Sequence, residues 1–398
     1  MEVLLVGPDR SVAQVCGDDV LTRLLLAHPP PGVRYTHLAT ALQAGVVART
    51  RWGRAWLASL VMHSRPPAGV PYAWSGLPPL PYRLLGRVWP DRPDEDIQWL
   101  RLRPGHGFDL VHAWDYPVHL GRRGSRPPVV LHTGTGNTDL LTSYYALPPA
   151  LTARLARRDA RLLRALGVLH DLYSTRDAAA VVVPSRYAWD LHRAAGVPEG
   201  KLRLIRLGLD APPEASLGTR REPGTVRFTL VGHQLWRKGG RALLAAFDRV
   251  RRRHPEARLT LVSAVDPEAL GLSLEGVTIH PGLPRDAIYR DIYPATDVYV
   301  LPSLAEGYGM SAVEAMGFGL PVVATRISAL QELVEDEVTG LLVPPDDPEA
   351  LARAMIRLLE APALRARLGA AGRARFLAEH EVGVCQAAMR RVYDEALA

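Results

Sequence analysis

Short runs that are apolar at nearly every position recur along the chain. Between them, apolar residues return every three or four positions. In the first half the runs are VLLV (3–6), DLVHA (109–113), PVVLH (128–132), AAVVV (179–183) and LRLIR (202–206). In the second half they are VRFTLVG (226–232), RLTLVS (258–263), VTIH (277–280), DVYVL (297–301), PVVA (321–324) and GLLV (340–343). A strand apolar on both sides must be covered on both faces, and the helical patterns between the strands supply the cover. This alternation predicts an α/β fold with a parallel sheet in each half.

The segment GLDAPPEASLGTRREPG (208–224), rich in Pro, Gly and small polar residues, reads as a linker. It separates domains at 1–207 and 208–375, with a last helix over 376–398. Residues 64–93, dense in proline and aromatics, predict an irregular excursion inside the first domain. Helix starts carry local signals. Ser328 with Gln331 has capping-box spacing, and Asp347-Pro348-Glu349 offers an N-cap, a first-turn proline and an early carboxylate.

A chain of 398 residues exceeds what one core usually serves, in keeping with two domains. With 47% hydrophobic and 22% charged residues it has the composition of a folded protein. The two cysteines, Cys16 and Cys385, make no disulfide framework and fit a reducing compartment. MEVLLVGPDR reads as a first strand rather than a signal peptide. There is no apolar run of about eighteen residues that would predict a membrane span, and the expected location is the cytoplasm. Charge is uneven: 23 arginines face 16 acids in residues 1–200, and 25 basic face 25 acidic residues in 201–398. The first half should therefore prefer an anionic partner or surface. Lys201 and Lys238 are the only lysines.

The stretch AEGYGMSAVEAMGFGLPVVAT (305–325) follows a predicted strand and opens a helix. Ser311 and Glu314 have capping-box spacing, and Gly307 and Gly309 suit a tight turn. Neither reading explains Glu306, a carboxylate at the carboxyl end of a parallel strand, where open α/β sheets bind ligands. Unpaired backbone N–H groups at such a helix start attract phosphate or polar sugar oxygens. Two carboxylates beside them suit two diols of one extended ligand, as in a nucleotide sugar. A second turn, VGHQLWRKGG (231–240), also leads from a strand into a helix. Gly232, Gly239 and Gly240 permit close backbone approach there, and Arg237 and Lys238 supply cations for a diphosphate.

From VGHQLWRKGG through DVYVLPSLAEGYGMSAVEAMGFGLPVVATRISALQELVEDEVTGLLVPPDDPEALARAM, the second half resembles the retaining glycosyltransferases of family 4. The resemblance implies the B-type glycosyltransferase fold of two facing Rossmann-like domains. It implies a hexose moved from a UDP-, GDP- or ADP-sugar to a hydroxyl acceptor without a metal. It places hexose hydroxyls on Glu306, the ribose on Glu314 and the diphosphate on Lys238. The donor loops add Gly232, His233, Gly307, Tyr308, Gly309, Met310 and Ser311. His233 stands where the family often has arginine, leaving Arg237 to supply the second cation. The resemblance also has the last helix cross back to the first domain. A sugar-nucleotide epimerase of the same fold, or a silent nucleotide-sugar-binding protein, stays open as an alternative.

In the first half, FDLVHAWD (108–115) and AAAVVVPSRYAWDLHRAAGVPEGKLRLIRLGLD (178–210) resemble the same family, with Leu207 in place of a familiar asparagine. The resemblance puts His132, at a strand end, against the donor hexose in a binding and polarising role. Thr133, Thr135 and Asn137 are acceptor candidates. LTARLARRDARLLRALG (151–167) reads as an amphipathic helix with five arginines on one face, and ARTRWGRAW (48–56) adds arginines with two tryptophans. Both suit either a solvated face or peripheral contact with an anionic membrane. Asp94-Glu95-Asp96 has a metal-binding pattern that is common by chance, and no cofactor and no nucleic-acid partner is expected.

Overall fold

The computed structural model describes residues 1–7, 17–49, 98–114, 118–120, 126–134, 175, 178–232, 235–263 and 273–398. The chain folds as two compact units. One holds the described residues up to Arg206 together with Cys385–Ala398, and the other holds Leu207–Val384.

In the first unit, β1 (Glu2–Val6), β2 (Arg34–His37), β5 (Leu110–Trp114), β7 (Val129–His132), β8 (Ala180–Val183) and β9 (Leu202–Leu204) form one sheet. Its order is β2-β1-β5-β7-β8-β9, and every pairing is parallel. Successive side chains point to opposite faces, so each apolar run feeds two cores. Helices α1 (Gly17–Ala27) and α2 (Leu38–Gln43) come first along the chain. Leu4, Val6, Val111, Ala113, Leu131, Val181 and Val183 pack on one face with Ala188 of α3 (Arg186–Ala195). Val3, Leu110, Val130 and Val182 pack on the other with Cys385, Met389, Val392 and Tyr393. A smaller sheet joins β3 (Val47–Arg49), β4 (Gln98–Leu102) and β6 (Val118–Leu120). The apolar pattern misses β2, β3, β4 and β6. Each carries polar or charged residues (RYTH, VAR, QWLRL, VHL), and β2 sits at the edge of its sheet.

In the second unit the strands are β10 (Arg227–Val231), β11 (Arg258–Val262), β12 (Val277–His280), β13 (Val298–Leu301), β14 (Val322–Thr325) and β15 (Gly340–Val343). They form a wholly parallel sheet in the order β12-β11-β10-β13-β14-β15. This is the doubly wound arrangement, and its order reverses between β10 and β13. Helix α4 (Gly240–Arg253) follows β10, and α5 (Met310–Gly317) follows β13. The two turns singled out in the sequence therefore lie side by side at that reversal.

Helices α6 (Leu330–Leu333), α7 (Pro348–Glu360) and α8 (Pro362–Glu379) complete this unit, and α8 packs on α5. Asp347 caps α7 by accepting from the Ala350 N–H at 2.9 Å. The capping box at Ser328 does not form: α6 starts after Ala329, with no side-chain cap. The end of the chain is two helices rather than one from 376. Helix α8 runs to Glu379, and α9 (Val382–Leu397) begins after a break at which Val382 N–H donates to the Leu209 carbonyl.

Candidate functional site

The turn after β10 and the loop after β13 are held together by backbone. The Leu304 N–H donates to the Arg237 carbonyl at 2.8 Å. Gly239 has φ +73°, and a Cβ there would lie 1.8 Å from the Pro302 carbonyl oxygen, so only glycine lets the loops abut. Gly309, at φ +103°, ends the second loop in the left-handed region and starts α5.

This contact brings three charged side chains together. Lys238 Nζ bonds Glu306 Oε2, and Arg237 Nη1 lies 3.6 Å from Glu306 Oε1. Ser303 Oγ also donates to Glu306 Oε2, at 3.2 Å. Lys238 and Glu306 are each only 7% exposed. Burial pushes the Glu306 carboxyl up, but Lys238 and Arg237 outweigh it and hold the group below the usual carboxylate range. Lys238 falls below the usual lysine value, because burial and Arg237 oppose its charge more than Glu306 supports it. Two cations thus share one carboxylate in a buried position, leaving a surplus positive charge.

Glu314 lies in α5, and the structure overturns its capping-box reading. The N-cap is Gly309, Ser311 lies inside the helix, and the Glu314 side chain turns elsewhere. Its Oε1 accepts from Arg285 Nε at 3.0 Å and its Oε2 from the Tyr293 hydroxyl at 2.7 Å. The field of Glu314 also reaches Lys238. Glu306 and Glu314 are therefore paired with different cations. Tyr308 is buried with its hydroxyl 3.3 Å from His380 Nδ1. Met310 and Ser311 form the first turn of α5, and a Cβ on Gly232 would press on the Lys238 side chain.

In the first unit, His132 ends β7 and is buried, with Thr133 beside it. Its ring stacks on His112 at 5.6 Å and meets the edge of Trp114 at 4.3 Å, and among the described residues neither of its nitrogens has a hydrogen-bond partner. Burial first, and His112 second, push its pKa well down, so the imidazole is neutral. His112 Nδ1 lies 2.5 Å from the Tyr393 hydroxyl, which lies 2.6 Å from that of Tyr35. A neutral ring suits the binding role expected of His132 rather than that of a charged acid.

His233, Thr135, Asn137, Asp94-Glu95-Asp96, residues 64–93, the arginine-rich stretch 151–167 and all but the first two residues of 48–56 lie outside the described residues. Among the described residues, no group of three or more His, Cys, Asp or Glu could hold a metal ion. No helix among them is long and apolar enough to cross a membrane. Sequence reasoning missed Arg285, Tyr293, Ser303, His112 and Tyr393. The one available signal was the four-residue spacing of Arg285, Tyr289 and Tyr293 in PRDAIYRDIYPATD (284–297), which lines up one helical face.

Residues 225–361 match the family described as "Glycosyl transferases group 1". A D-inositol 3-phosphate glycosyltransferase of Segniliparus rotundus is 34% identical over 198 residues, 47% of this chain and 43% of that protein. A phosphatidyl-myo-inositol mannosyltransferase of Mycolicibacterium smegmatis is 34% identical over 181 residues, 44% of this chain and 46% of that protein. The chain thus spans less than half the length of these relatives. The Anabaena protein HepE, solved in complex with UDP and glucose, superimposes with a TM-score of 0.61 at 16% identity, covering 98% of both chains. That likeness establishes the B-type glycosyltransferase fold.

Proposed function

We propose, from the premise that the second unit is a glycosyl transferases group 1 domain, that the protein is a retaining glycosyltransferase. It moves a hexose from a nucleoside-diphosphate sugar to a hydroxyl acceptor. The observation that carries this reading is the buried cluster of Lys238, Arg237 and Glu306 at the reversal between β10 and β13. Its surplus positive charge calls for an anion, and a diphosphate supplies one.

Lys238 has three N–H donors, and among the described residues Glu306 takes one, so two serve diphosphate oxygens in this reading. Glu306 accepts from hexose hydroxyls and Glu314 from the ribose diol. As the bond from the anomeric carbon to the diphosphate oxygen breaks, negative charge grows on the leaving group beside Lys238 and Arg237. Charge stabilisation of this kind is commonly the largest catalytic contribution. The acceptor oxygen bonds the anomeric carbon on the same face, and its proton passes to the departing phosphate oxygen. The two cations carry the compensating charge, so turnover should be insensitive to a chelator. His132 binds the hexose as a neutral group, and Thr133 contributes to acceptor binding.

HepE's bound UDP makes uridine diphosphate sugars the first donors to test, with GDP- and ADP-sugars beside them. Inositol phosphate and phosphatidylinositol are the first acceptors, after the names of the two relatives. The test is product analysis by NMR. The reading predicts acceptor-dependent release of nucleoside diphosphate and a product with the donor's anomeric configuration. Conversion of donor alone, or an inverted product, would refute it.

A further inference from the structure

Both oxygens of Glu314 are already engaged. Arg285 Nε donates to one at 3.0 Å and the Tyr293 hydroxyl to the other at 2.7 Å. An ionised carboxylate has about four acceptor sites; Arg285 and Tyr293 each fill one, and the Tyr289 hydroxyl also bonds the group, so among the described residues acceptor capacity remains. Donors on both oxygens fix the plane of the group and leave it able to accept further. A carboxylate held in a fixed plane is prepared to accept from ligand hydroxyls.

The cradle is built by one stripe of side chains. Arg285, Tyr289 and Tyr293 recur every four residues through a helical segment whose middle, Ile288–Ile292, is a π-helical turn. Such turns are frequent at functional sites. Arg285 Nη2 donates to the Tyr289 hydroxyl at 2.6 Å, and the guanidinium lies 4.7 Å from the Tyr289 ring centroid. One planar fork thus serves Glu314 and Tyr289 in a fixed geometry that the rotating donors of a lysine ammonium do not reproduce. The guanidinium also neutralises a carboxylate that would otherwise repel a diphosphate.

We propose that Arg285, with Tyr293, is a positioning residue that presents Glu314 to the donor's ribose diol and so sets the preference for ribonucleotides over deoxyribonucleotides. The inference rests on the reading of Glu314 given above. It adds residues that touch the carboxylate rather than the reacting atoms.

The test is calorimetric titration of the full chain with UDP, GDP and ADP, each against its 2′-deoxy counterpart. The wild type should prefer the ribonucleotide by about tenfold or more, as expected when a hydroxyl that pairs with a charged group is removed. In Arg285→Met that preference should shrink to less than about threefold, with the loss falling on the ribonucleotide. Arg285→Lys should not restore it. Tyr293→Phe removes a single hydroxyl and leaves the packed ring, and it should narrow the preference in the same direction. An unchanged preference in both variants, or equal loss of ribo- and deoxynucleotide, overturns the inference, as does a wild type that binds both equally. A wild type that binds none of the three nucleotides refutes the donor reading itself, a separate and recognisable outcome.

Discussion

Lys238 is one of two lysines in the chain, and it is the buried one of an adjacent Arg-Lys pair. Its depressed pKa follows from burial and from a second cation, Arg237, so an incoming anion should raise it. At alkaline pH, part of the Lys238 population is neutral in the free protein, and binding recharges it. We therefore expect proton uptake when nucleoside diphosphate binds at alkaline pH. Calorimetry in buffers of differing ionisation enthalpy detects it, and Lys238→Met should abolish it. Lys238→Ala should lower turnover by about 10²–10³, and near-normal turnover in a folded variant would remove its role on the leaving group. Glu306, Glu314 and Lys238 were legible in the sequence because short glycine-rich spacings announce them. Arg285 was not, because its contact with Glu314 spans 29 residues and exists only once two elements pack. Tyr393 reaches His112 across 281 residues, beyond any spacing argument.

His112 carries a further prediction at this scale. Desolvation lowers its pKa from 6.5 to about 3. Below pH 6.5 the unfolded chain takes up a proton that the folded one refuses, so stability falls as pH drops from 6.5 toward 3 and is fully present above 6.5. Between pH 7 and pH 5 this one group should cost about 2 kcal/mol. Urea unfolding at the two pH values should show a smaller loss for His112→Gln, and an equal loss would contradict the burial argument.

Among the elements, the buried strands were readable because an apolar run covered on both faces resembles little else. Strands β2, β3, β4 and β6 were not, since their stability comes from pairing rather than from an unbroken apolar run. The capping-box spacings at Ser311 and Ser328 illustrate a second limit. A three-residue spacing is necessary for the box, but at both places another residue takes the cap position, and at α5 a distant arginine claims the glutamate. The junction of the two donor loops depends on Gly239. Gly239→Ala combines a left-handed φ with a clash on the Pro302 carbonyl and should destabilise by about 2–4 kcal/mol. An unchanged denaturation midpoint would show that the loops can separate freely.

For the whole molecule, the alternation of strands and helices announced two parallel-sheet units, and the composition was that of an ordinary folded chain. The strand order was not announced. It is the order β12-β11-β10-β13-β14-β15 that makes neighbours of segments some 70 residues apart and turns two separate glycine-rich loops into one charged cluster. The central claim is that this cluster seats a nucleotide sugar. Calorimetric titration of wild type and Glu306→Ala with UDP-, GDP- and ADP-sugars, each against its free diphosphate, tests it most directly. The wild type should bind at least one nucleotide sugar, and Glu306→Ala should lose about tenfold or more in affinity for the sugar-bearing form relative to the free diphosphate. A wild type that binds no nucleotide sugar, or a variant whose sugar-to-diphosphate preference is unchanged, would contradict it.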